Sequence, residues 1–315
     1  MRKDAKTVAV IGAGMMASGM ATLCCGHGYK TVVLCRSEAS IQKCAAAVDL
    51  QFRQMSEHGL LTPERAEICK SYLCFTTEDA AMRDAFAAFE CITENLEQKH
   101  GVYRRLEAAC PSLEMICSLT SSLVPEKLAA YGGPYADRIV VTHPFNPVHL
   151  APFFEICAGA ATREGIAQAA KALLESLDKK PIILKKATPG FVGNRLQFAL
   201  LREALALVEE GIADPRDVDT CLNYSFCPRY TSIGIFEHFD NGDLRLCKTV
   251  ADNLFPVISD AKAAPDLIND KIARGDYGAK TGVGFYDWRD VDMEAYQDRV
   301  GEPYWRFGRW PFPEE

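Results

Sequence analysis

The chain lacks an excess of positive charge. Its 315 residues include 35 lysines and arginines against 42 aspartates and glutamates, which gives a formal net charge of −7. A general nucleic-acid or membrane-surface binder normally needs a basic face. The composition therefore predicts no nucleic-acid and no membrane partner, although a local basic pocket for one phosphate is compatible with it.

Paired metal-binding cysteines and a secretion signal are also missing from the sequence. Thirteen cysteines are scattered along the chain without a C-x-x-C pair, which predicts small buried thiols and no metal site. The apolar run Val8–Met20 contains three glycines and has no cleavage-like end, unlike an export signal or a membrane span. We therefore expect a protein of the reducing cytoplasm.

The first half of the chain alternates short apolar runs with helical patterns. Thr7–Ile11 and Thr31–Cys35 are typical of buried strands, and they flank a helical pattern over Met15–His27. This order predicts a βαβ unit and a mostly parallel sheet with helices on both faces. Five later apolar runs also predict short strands: Glu90–Thr93, Met115–Ser118, Arg138–His143, Phe153–Cys157 and Pro181–Leu184.

After Lys185 the pattern becomes helical. Gly193–Glu210 has the spacing of one long helix, and Asp214–Pro215 is typical of the start of another. From there to Tyr277 the pattern indicates further helices and no strands. The second half is therefore predicted to form a mostly α-helical domain.

A glycine-rich turn follows the first predicted strand and opens the first predicted helix. Gly12, Gly14 and Ala17 form the pattern G-x-G-x-x-A, with Met15 and Met16 between the second and third positions. Gly12 permits the tight turn, Gly14 lets the backbone approach a pyrophosphate, and Ala17 keeps the helix close to the sheet. Placed at the start of a βαβ unit, the pattern predicts a dinucleotide site.

Together these patterns predict an α/β fold with two domains. Residues 1–185 are expected to form a Rossmann-type doubly wound sheet that binds NAD(P), and residues 186–315 a mostly α-helical C-terminal domain. The segment from Asp287 to Glu315 is rich in aromatic residues and proline, and the pattern assigns it no role.

The end of the second predicted strand bears on which dinucleotide binds. NAD enzymes usually place an acid there to accept from the ribose 2′-hydroxyl, but this chain has Arg36 followed by Ser37. A guanidinium and a hydroxyl suit a 2′-phosphate, so we expect NADP to be favoured over NAD. The alternative is an Arg36 that stacks on adenine in an NAD enzyme.

A histidine and a carboxylate form a candidate proton-transfer pair. His143 ends an apolar run, and in open α/β sheets ligands lie beyond the carboxyl ends of the strands. Glu155 lies within the apolar run Phe153–Cys157, where a carboxylate needs a partner. A bond to His143 would fix the imidazole tautomer and raise its basicity, whereas an isolated Glu155 would pair with a lysine or arginine.

With these motifs, the sequence resembles the 3-hydroxyacyl-CoA dehydrogenases over roughly residues 5–288. The resemblance implies a Rossmann domain joined to a helical domain that binds substrate and forms a homodimer, with catalysis in the cleft between the domains. The segments that carry it are VAVIGAGMMASGM, CITENLEQK, SLTSSL, HPFNP with the later Glu155, TPGFVGNRLQ and GAKTGVGFYDW.

The resemblance also implies roles for single residues. It makes His143 the catalytic histidine and Glu155 its carboxylate partner, and it assigns the hydrogen bonds to the substrate to Ser121 and Asn194. The remaining matches lie near the cofactor: Glu94, Lys99, Asn146 and Lys280. The implied substrate is a short-chain 3-hydroxyacyl-CoA such as 3-hydroxybutyryl-CoA, which belongs to fatty acid metabolism.

Several positions depart from that family pattern and leave two alternatives open. Pro144 gives the form H-P-x-N-P, which resembles relatives that act on small free hydroxy acids, such as carnitine and L-gulonate dehydrogenases and lambda-crystallin. Phe52 and Gly59 stand on a helical arm where CoA-binding relatives present Ser and Lys. A dehydrogenase of a free 3-hydroxy acid is therefore the alternative substrate class. A dinucleotide-binding protein without turnover is a third possibility, against which the intact candidate catalytic residues argue.

Overall fold

The computed structural model describes residues 6–307, and these divide into two compact units. The first unit comprises the described residues up to Gly193 together with the segment from Glu294 onward, and the second is Asn194–Met293. This division gives the C-terminal helix to the first unit, whereas the sequence pattern places every residue after 185 in the second domain. Residues 1–5 and 308–315, which the predicted domains include, lie outside the described residues.

The first unit is built on an eight-stranded sheet with the order β3-β2-β1-β4-β5-β6-β7-β8. Its strands are β1 (Thr7–Ile11), β2 (Lys30–Leu34), β3 (Leu73–Thr76), β4 (Ala85–Glu90), β5 (Met115–Ser118), β6 (Ile139–Pro144), β7 (Phe153–Cys157) and β8 (Lys180–Ile183). Strands β1 to β6 run parallel, while β7 pairs antiparallel with β6 and parallel with β8. The order reverses between β1 and β4, which is where such sheets bind their ligands.

Helices cover both faces of this sheet and make up the second unit. In the first unit they are α1 (Met15–Gly26), α2 (Glu38–Glu57), α3 (Pro63–Lys70), α4 (Leu96–Ala109), α5 (Pro125–Ala129), α6 (Ile166–Ser176) and, near the C-terminus, α12 (Met293–Phe307). The second unit contains α7 (Gly193–Glu209), α8 (Pro215–Tyr224), α9 (Ile235–Asn241), α10 (Leu244–Leu254) and α11 (Asp266–Arg274). Among the helices described, none is both long and apolar enough to cross a membrane.

The Rossmann-type sheet followed by helices confirms the predicted fold class, with two local corrections. The strand predicted at Glu90–Thr93 is wrong, because the strand is the apolar run Ala85–Glu90 and Asn95 then caps α4 by accepting from the Gln98 amide. The strand Leu73–Thr76 was not predicted. It lies at the edge of the sheet, is only partly buried and contains just three apolar residues, Leu73–Phe75.

The two units differ in how much apolar surface they bury. The first contains two large clusters of buried side chains, one on each face of the sheet. In the second, Leu205 alone is buried among residues 194–293, all of which the structure describes. Large apolar side chains there are exposed, including Phe236 at 89% and Val257 at 75%. Such a surface is typical of an interface.

Candidate active site

The glycine turn has the geometry that a bound dinucleotide requires. Gly12 has a φ of +126°, and a Cβ at this position would lie 2.9 Å from the carbonyl oxygen of Cys91, so a larger residue cannot replace it. Gly14 precedes α1, and a Cβ there would meet open space. The backbone is thus accessible where the pyrophosphate is expected, at a helix N-terminus. Ala17 is fully buried against the sheet, in line with its predicted packing role.

A cavity of about 590 Å³ lies at the carboxyl ends of β1, β2 and β4, where the strand order reverses. The glycine turn forms one part of its wall. Arg36, Lys43 and Arg105 contribute cationic side chains, and no acidic residue is found among the described residues that line it. The volume and the charge both fit an anionic dinucleotide.

Arg36 and Ser37 do not share the role predicted for them. Arg36 lines the cavity. The Ser37 hydroxyl instead caps α2, accepting from the Ser40 amide at 3.3 Å and lying 2.9 Å from the Ser40 hydroxyl. Ser37 is absent from the described lining residues, because its side chain completes the first turn of the helix. The hydroxyl residue of this turn that lines the cavity is Ser40.

His143 and Glu155 face each other across β6 and β7. The antiparallel register pairs these two residues directly, and His143 Nδ1 lies 3.0 Å from Glu155 Oε2. Both side chains are buried. The structure therefore brings together the predicted proton-transfer pair, and the carboxylate fixes which ring nitrogen carries the proton.

The second oxygen of Glu155 is also held. Oε1 accepts from the backbone amides of Val192 at 2.7 Å and Gly193 at 2.9 Å. Burial on its own would raise the pKa of Glu155, but the bonds from His143 and the two amides outweigh it and lower that pKa. Glu155 is thus an anion near neutral pH, as a stabiliser of an imidazolium must be.

An aromatic cage restricts the imidazole. The rings of Phe145 and Phe191 lie 5.2 and 5.6 Å from that of His143, between centroids. Phe145 in turn approaches Gly193 so closely that a Cβ at Gly193 would overlap its ring. Sequence reasoning did not predict that Gly193 would lie against Phe145, and the only signal was a glycine before the predicted Asn194.

Ser121 is positioned through Glu94 and not by its own side chain. Glu94 Oε1 accepts from the Ser121 amide at 3.1 Å, from Thr120 Oγ1 at 2.5 Å and from the amide and hydroxyl of Ser122. Although burial opposes it, these bonds and nearby Lys99 lower the pKa of Glu94. The Ser121 residue itself is exposed, which leaves its hydroxyl accessible to a ligand.

Lys99, predicted to lie near the cofactor, pairs with two carboxylates of the protein, and its role stays a prediction. Its side chain is 1% exposed, and the ammonium donates to Glu90 at 2.8 and 3.0 Å and lies 3.5 Å from Glu94. The buried Glu90 attracts it inward, because an unpaired carboxylate there would be costly. Glu90 was not predicted as a site residue, and its signal was a carboxylate ending the apolar run of β4.

The remaining predicted residues are spread over both units. Asn146 is exposed on the loop after β6 and precedes a cis peptide bond to Pro147. Met15 is exposed on the first turn of α1, and Met16 is half-buried. Asn194 and Lys280 belong to the second unit, and their roles stay predictions.

The described residues hold no group of three or more histidines, cysteines or acids that could bind a metal. Eight of the thirteen cysteines are buried, whereas Cys74 and Cys221 are exposed. Chemically, the site offers a histidine held by an anion and a cradle for a dinucleotide, the parts that proton and hydride transfer require.

Comparison with known proteins agrees with this geometry. Models of the 3-hydroxyacyl-CoA dehydrogenase family match residues 7–187 with the NAD binding domain and residues 190–288 with the C-terminal domain. An L-carnitine dehydrogenase of Oceanobacillus iheyensis is 35% identical over 235 residues, which cover 74% of this chain and 75% of the relative.

Two solved structures are similar to almost the whole chain. One is 5-formyl-3-hydroxy-2-methylpyridine 4-carboxylic acid 5-dehydrogenase, an NAD+-dependent dismutase, with 28% identity, a TM-score of 0.88 and coverage of 97% of this chain and 98% of that one. The other is (S)-3-hydroxybutyryl-CoA dehydrogenase of Ralstonia eutropha, with 30% identity, a TM-score of 0.73 and coverage of 90% and 99%. The chain therefore belongs to the 3-hydroxyacyl-CoA dehydrogenase family.

Proposed function

We propose that this protein is a nicotinamide-dependent dehydrogenase of a small free hydroxy acid. The observation that carries the reaction type is the His143–Glu155 pair, since it leaves Nε2 as the ring nitrogen for a substrate proton. The 3-hydroxyacyl-CoA substrate expected from the family resemblance gives way here to the alternative drawn from Pro144.

In this mechanism the bound dinucleotide supplies the hydride acceptor. His143 takes the proton of the substrate hydroxyl at Nε2 while Nδ1 remains hydrogen-bonded to Glu155. The carboxylate stabilises the imidazolium as it forms. Ser121 and Asn194 are proposed to donate to the substrate oxygen as it becomes a carbonyl, and Phe145 and Phe191 hold the imidazole in place.

The arm formed by α2 and α3 supports a substrate without CoA. Phe52 lies in the core and is 1% exposed, and its side chain offers no hydrogen bond to a ligand. The C-terminal helix α12 packs on this arm: Glu294 lies 2.7 Å from Arg53, and Asp298 lies 2.6 Å from His58. Trp305 stacks on His58 with 4.5 Å between ring centroids. Arg53 and His58, the sequence neighbours of Phe52 and Gly59, thus contact α12.

The charge on the arm supports the same conclusion. A cavity of about 380 Å³ there is lined by three carboxylates and two cations: Asp49, Glu57, Glu67, Arg53 and Lys70. Lys70 is engaged by Asp49 at 3.0 Å and by Glu67 at 2.5 Å. CoA carries several phosphate charges, which this lining would repel.

The comparisons also favour a small acid. The 0.88 TM-score belongs to a pyridine carboxylate dehydrogenase and the 0.73 score to a 3-hydroxybutyryl-CoA dehydrogenase, while the carnitine dehydrogenase is 35% identical. We further propose NADP(H) as the preferred cofactor, because Arg36 lines the cavity where an NAD enzyme would place an acid.

A homodimer formed through the second unit is part of the proposal. With Leu205 as its one buried residue, residues 194–293 expose more apolar surface than an isolated unit of that size usually tolerates. A second copy of the chain would cover it by a self-complementary interface. Sedimentation equilibrium should show a dimer, and Phe236→Glu should shift it towards monomer. A monomeric wild type would overturn this part.

The substrate class is tested by following nicotinamide absorbance with 3-hydroxybutyrate, L-carnitine and 3-hydroxybutyryl-CoA, each with NAD+ and NADP+. We expect turnover of a free acid, none in His143→Ala, and no heat of CoA binding in calorimetry. Efficient turnover of the thioester together with tight CoA binding would reject the proposal.

A further inference from the structure

We infer that Ser40 and Lys43 join Arg36 to form a built subsite for the 2′-phosphate of NADP(H). This rests on the proposed dehydrogenase function and its cofactor preference, and it extends that preference from one arginine to three side chains. Neither Ser40 nor Lys43 was a candidate from the sequence, because neither lies at the end of a strand.

The three side chains lie together at the end of β2 and the start of α2. Arg36 follows β2 and lies just before α2, while Ser40 and Lys43 lie on the first turns of α2. Residues three apart on a helix share a face, and all three side chains line the same 590 Å³ cavity. Ser40 also lies where its hydroxyl contacts the capping Ser37, at 2.9 Å, which fixes its orientation.

The cations of this cavity differ in whether a carboxylate offsets their charge. Arg105, the other cation of the cavity, is bound to Asp79 by bonds of 2.9 and 2.5 Å, so a carboxylate already offsets its charge. Among the residues that the structure describes, neither Arg36 nor Lys43 forms an ion pair. Glu38, the acid of the same turn, does not line the cavity. Two uncompensated cations at one end of a cavity favour a dianionic group.

The three side chains lie at a different place from the expected pyrophosphate. The pyrophosphate is expected at Gly12–Gly14 and the N-terminus of α1. Arg36, Ser40 and Lys43 belong to the next βα connection, which in this fold faces the adenosine ribose. A phosphomonoester there carries about 1.5 to 2 negative charges at pH 7, which matches two cations and a hydroxyl donor.

The experiment measures binding of half-cofactors, so it needs no substrate. Calorimetry with 2′,5′-ADP and with 5′-AMP compares ligands that differ by the 2′-phosphate alone. Wild type should bind 2′,5′-ADP at least tenfold more tightly than 5′-AMP. Lys43→Met should weaken 2′,5′-ADP by about tenfold and leave 5′-AMP within twofold, since one charge-assisted contact is lost. Lys30→Met is the matched control, because Lys30 is exposed at the opposite end of β2, and it should change neither affinity.

Ser40→Ala gives a second measurement, with a smaller loss of about threefold for 2′,5′-ADP alone. A wild type that prefers 2′,5′-ADP combined with unchanged binding in Lys43→Met would overturn the subsite while leaving the NADP preference standing. A wild type that binds both half-cofactors equally would overturn the cofactor preference itself, whereas turnover of a free acid would still stand.

Discussion

Two buried carboxylates of the first unit, Glu90 and Glu155, differ in what their partners leave free. Both side chains are 0% exposed, and both accept several hydrogen bonds. Glu90 binds the Lys99 ammonium and the hydroxyls of Tyr103 and Ser118, which are buried side chains, and the backbone amide of half-buried Ile92. Glu155 binds two backbone amides and one nitrogen of His143.

Burial of a charged network therefore does not by itself indicate a catalytic role. We call the Glu90 network closed because its three side-chain donors are buried, and we expect it to hold β4, β5 and α4 together. The Glu155 network ends in an imidazole with a second nitrogen. We assign the catalytic role to this second nitrogen of His143. Mutations in the Glu155 network should therefore lower turnover, whereas mutations in the Glu90 network should lower stability.

The largest expected effect is on turnover in His143→Ala. Removing the proposed acid–base should lower kcat by about 10²–10⁴ while cofactor affinity stays nearly unchanged. Steady-state rates and fluorescence titration of the reduced cofactor measure both. Turnover within a few-fold of wild type would remove His143 from its role and with it the contrast between the networks.

Breaking the closed network should act on stability. Glu90→Gln removes the nearer anion of the buried Lys99 ammonium and leaves Glu94 at 3.5 Å, which should cost up to about 3–5 kcal/mol of unfolding free energy. Urea denaturation measures it. The double variant Glu90→Gln with Lys99→Met removes both charges and should recover part of the loss. If Glu90→Gln were as stable as wild type but inactive, Glu90 would belong to the reaction and not to the frame.

Gly193→Ala tests whether the packing around His143 positions its imidazole. The added Cβ would overlap the Phe145 ring, which packs on His143, so the imidazole should move from its productive position. We expect kcat to fall about 10- to 100-fold with a small change in stability. Adding Phe145→Leu makes room and should restore part of the rate. No loss in Gly193→Ala would show that the cage does not position the imidazole.

The smallest expected effect concerns Lys179, a buried ammonium that donates to the carbonyl oxygens of His149 and Ala151. Burial lowers its pKa from 10.5 to about 7. Between these values the unfolded chain binds the proton and the folded chain does not, so Lys179 makes stability rise with pH and that gain is lost as pH falls through 7.

Lys179→Met should abolish that slope. The unfolding free energy of wild type minus that of the variant should increase by up to about 1.4 kcal/mol per pH unit from pH 7 to 9. Urea denaturation at several pH values measures it. Parallel stability curves for the two proteins would mean that Lys179 keeps its proton in the folded state.

More of the Glu155 network than of the Glu90 network could be predicted from the sequence. His143 and Glu155 could be predicted as a pair, because a polar residue within each apolar run marks a functional exception, and strand pairing then sets them opposite each other. The partners of Lys99 and Ser37 could not be predicted, for a physical reason. A side chain's partner depends on the three-dimensional neighbours, Glu90 and the first turn of α2, which spacing alone does not reveal.

The backbone donors of the site could not be predicted from the sequence either. The amides of Val192 and Gly193 hold Glu155, yet any residue except proline could supply such an amide. The position of α12 on the α2–α3 arm was likewise beyond reach, since helix periodicity identifies an apolar face but not the surface that receives it.

The most direct test of the central claim is the pH dependence of kcat/KM for wild type, Glu155→Gln and Glu90→Gln, measured with the free acid that turns over fastest. In Glu155→Gln the histidine loses its anion, so the acid limb of the profile should move to lower pH and the plateau should fall. In Glu90→Gln the limb should stay where it is in wild type. An unmoved limb in Glu155→Gln, or an equal displacement in Glu90→Gln, would contradict the account.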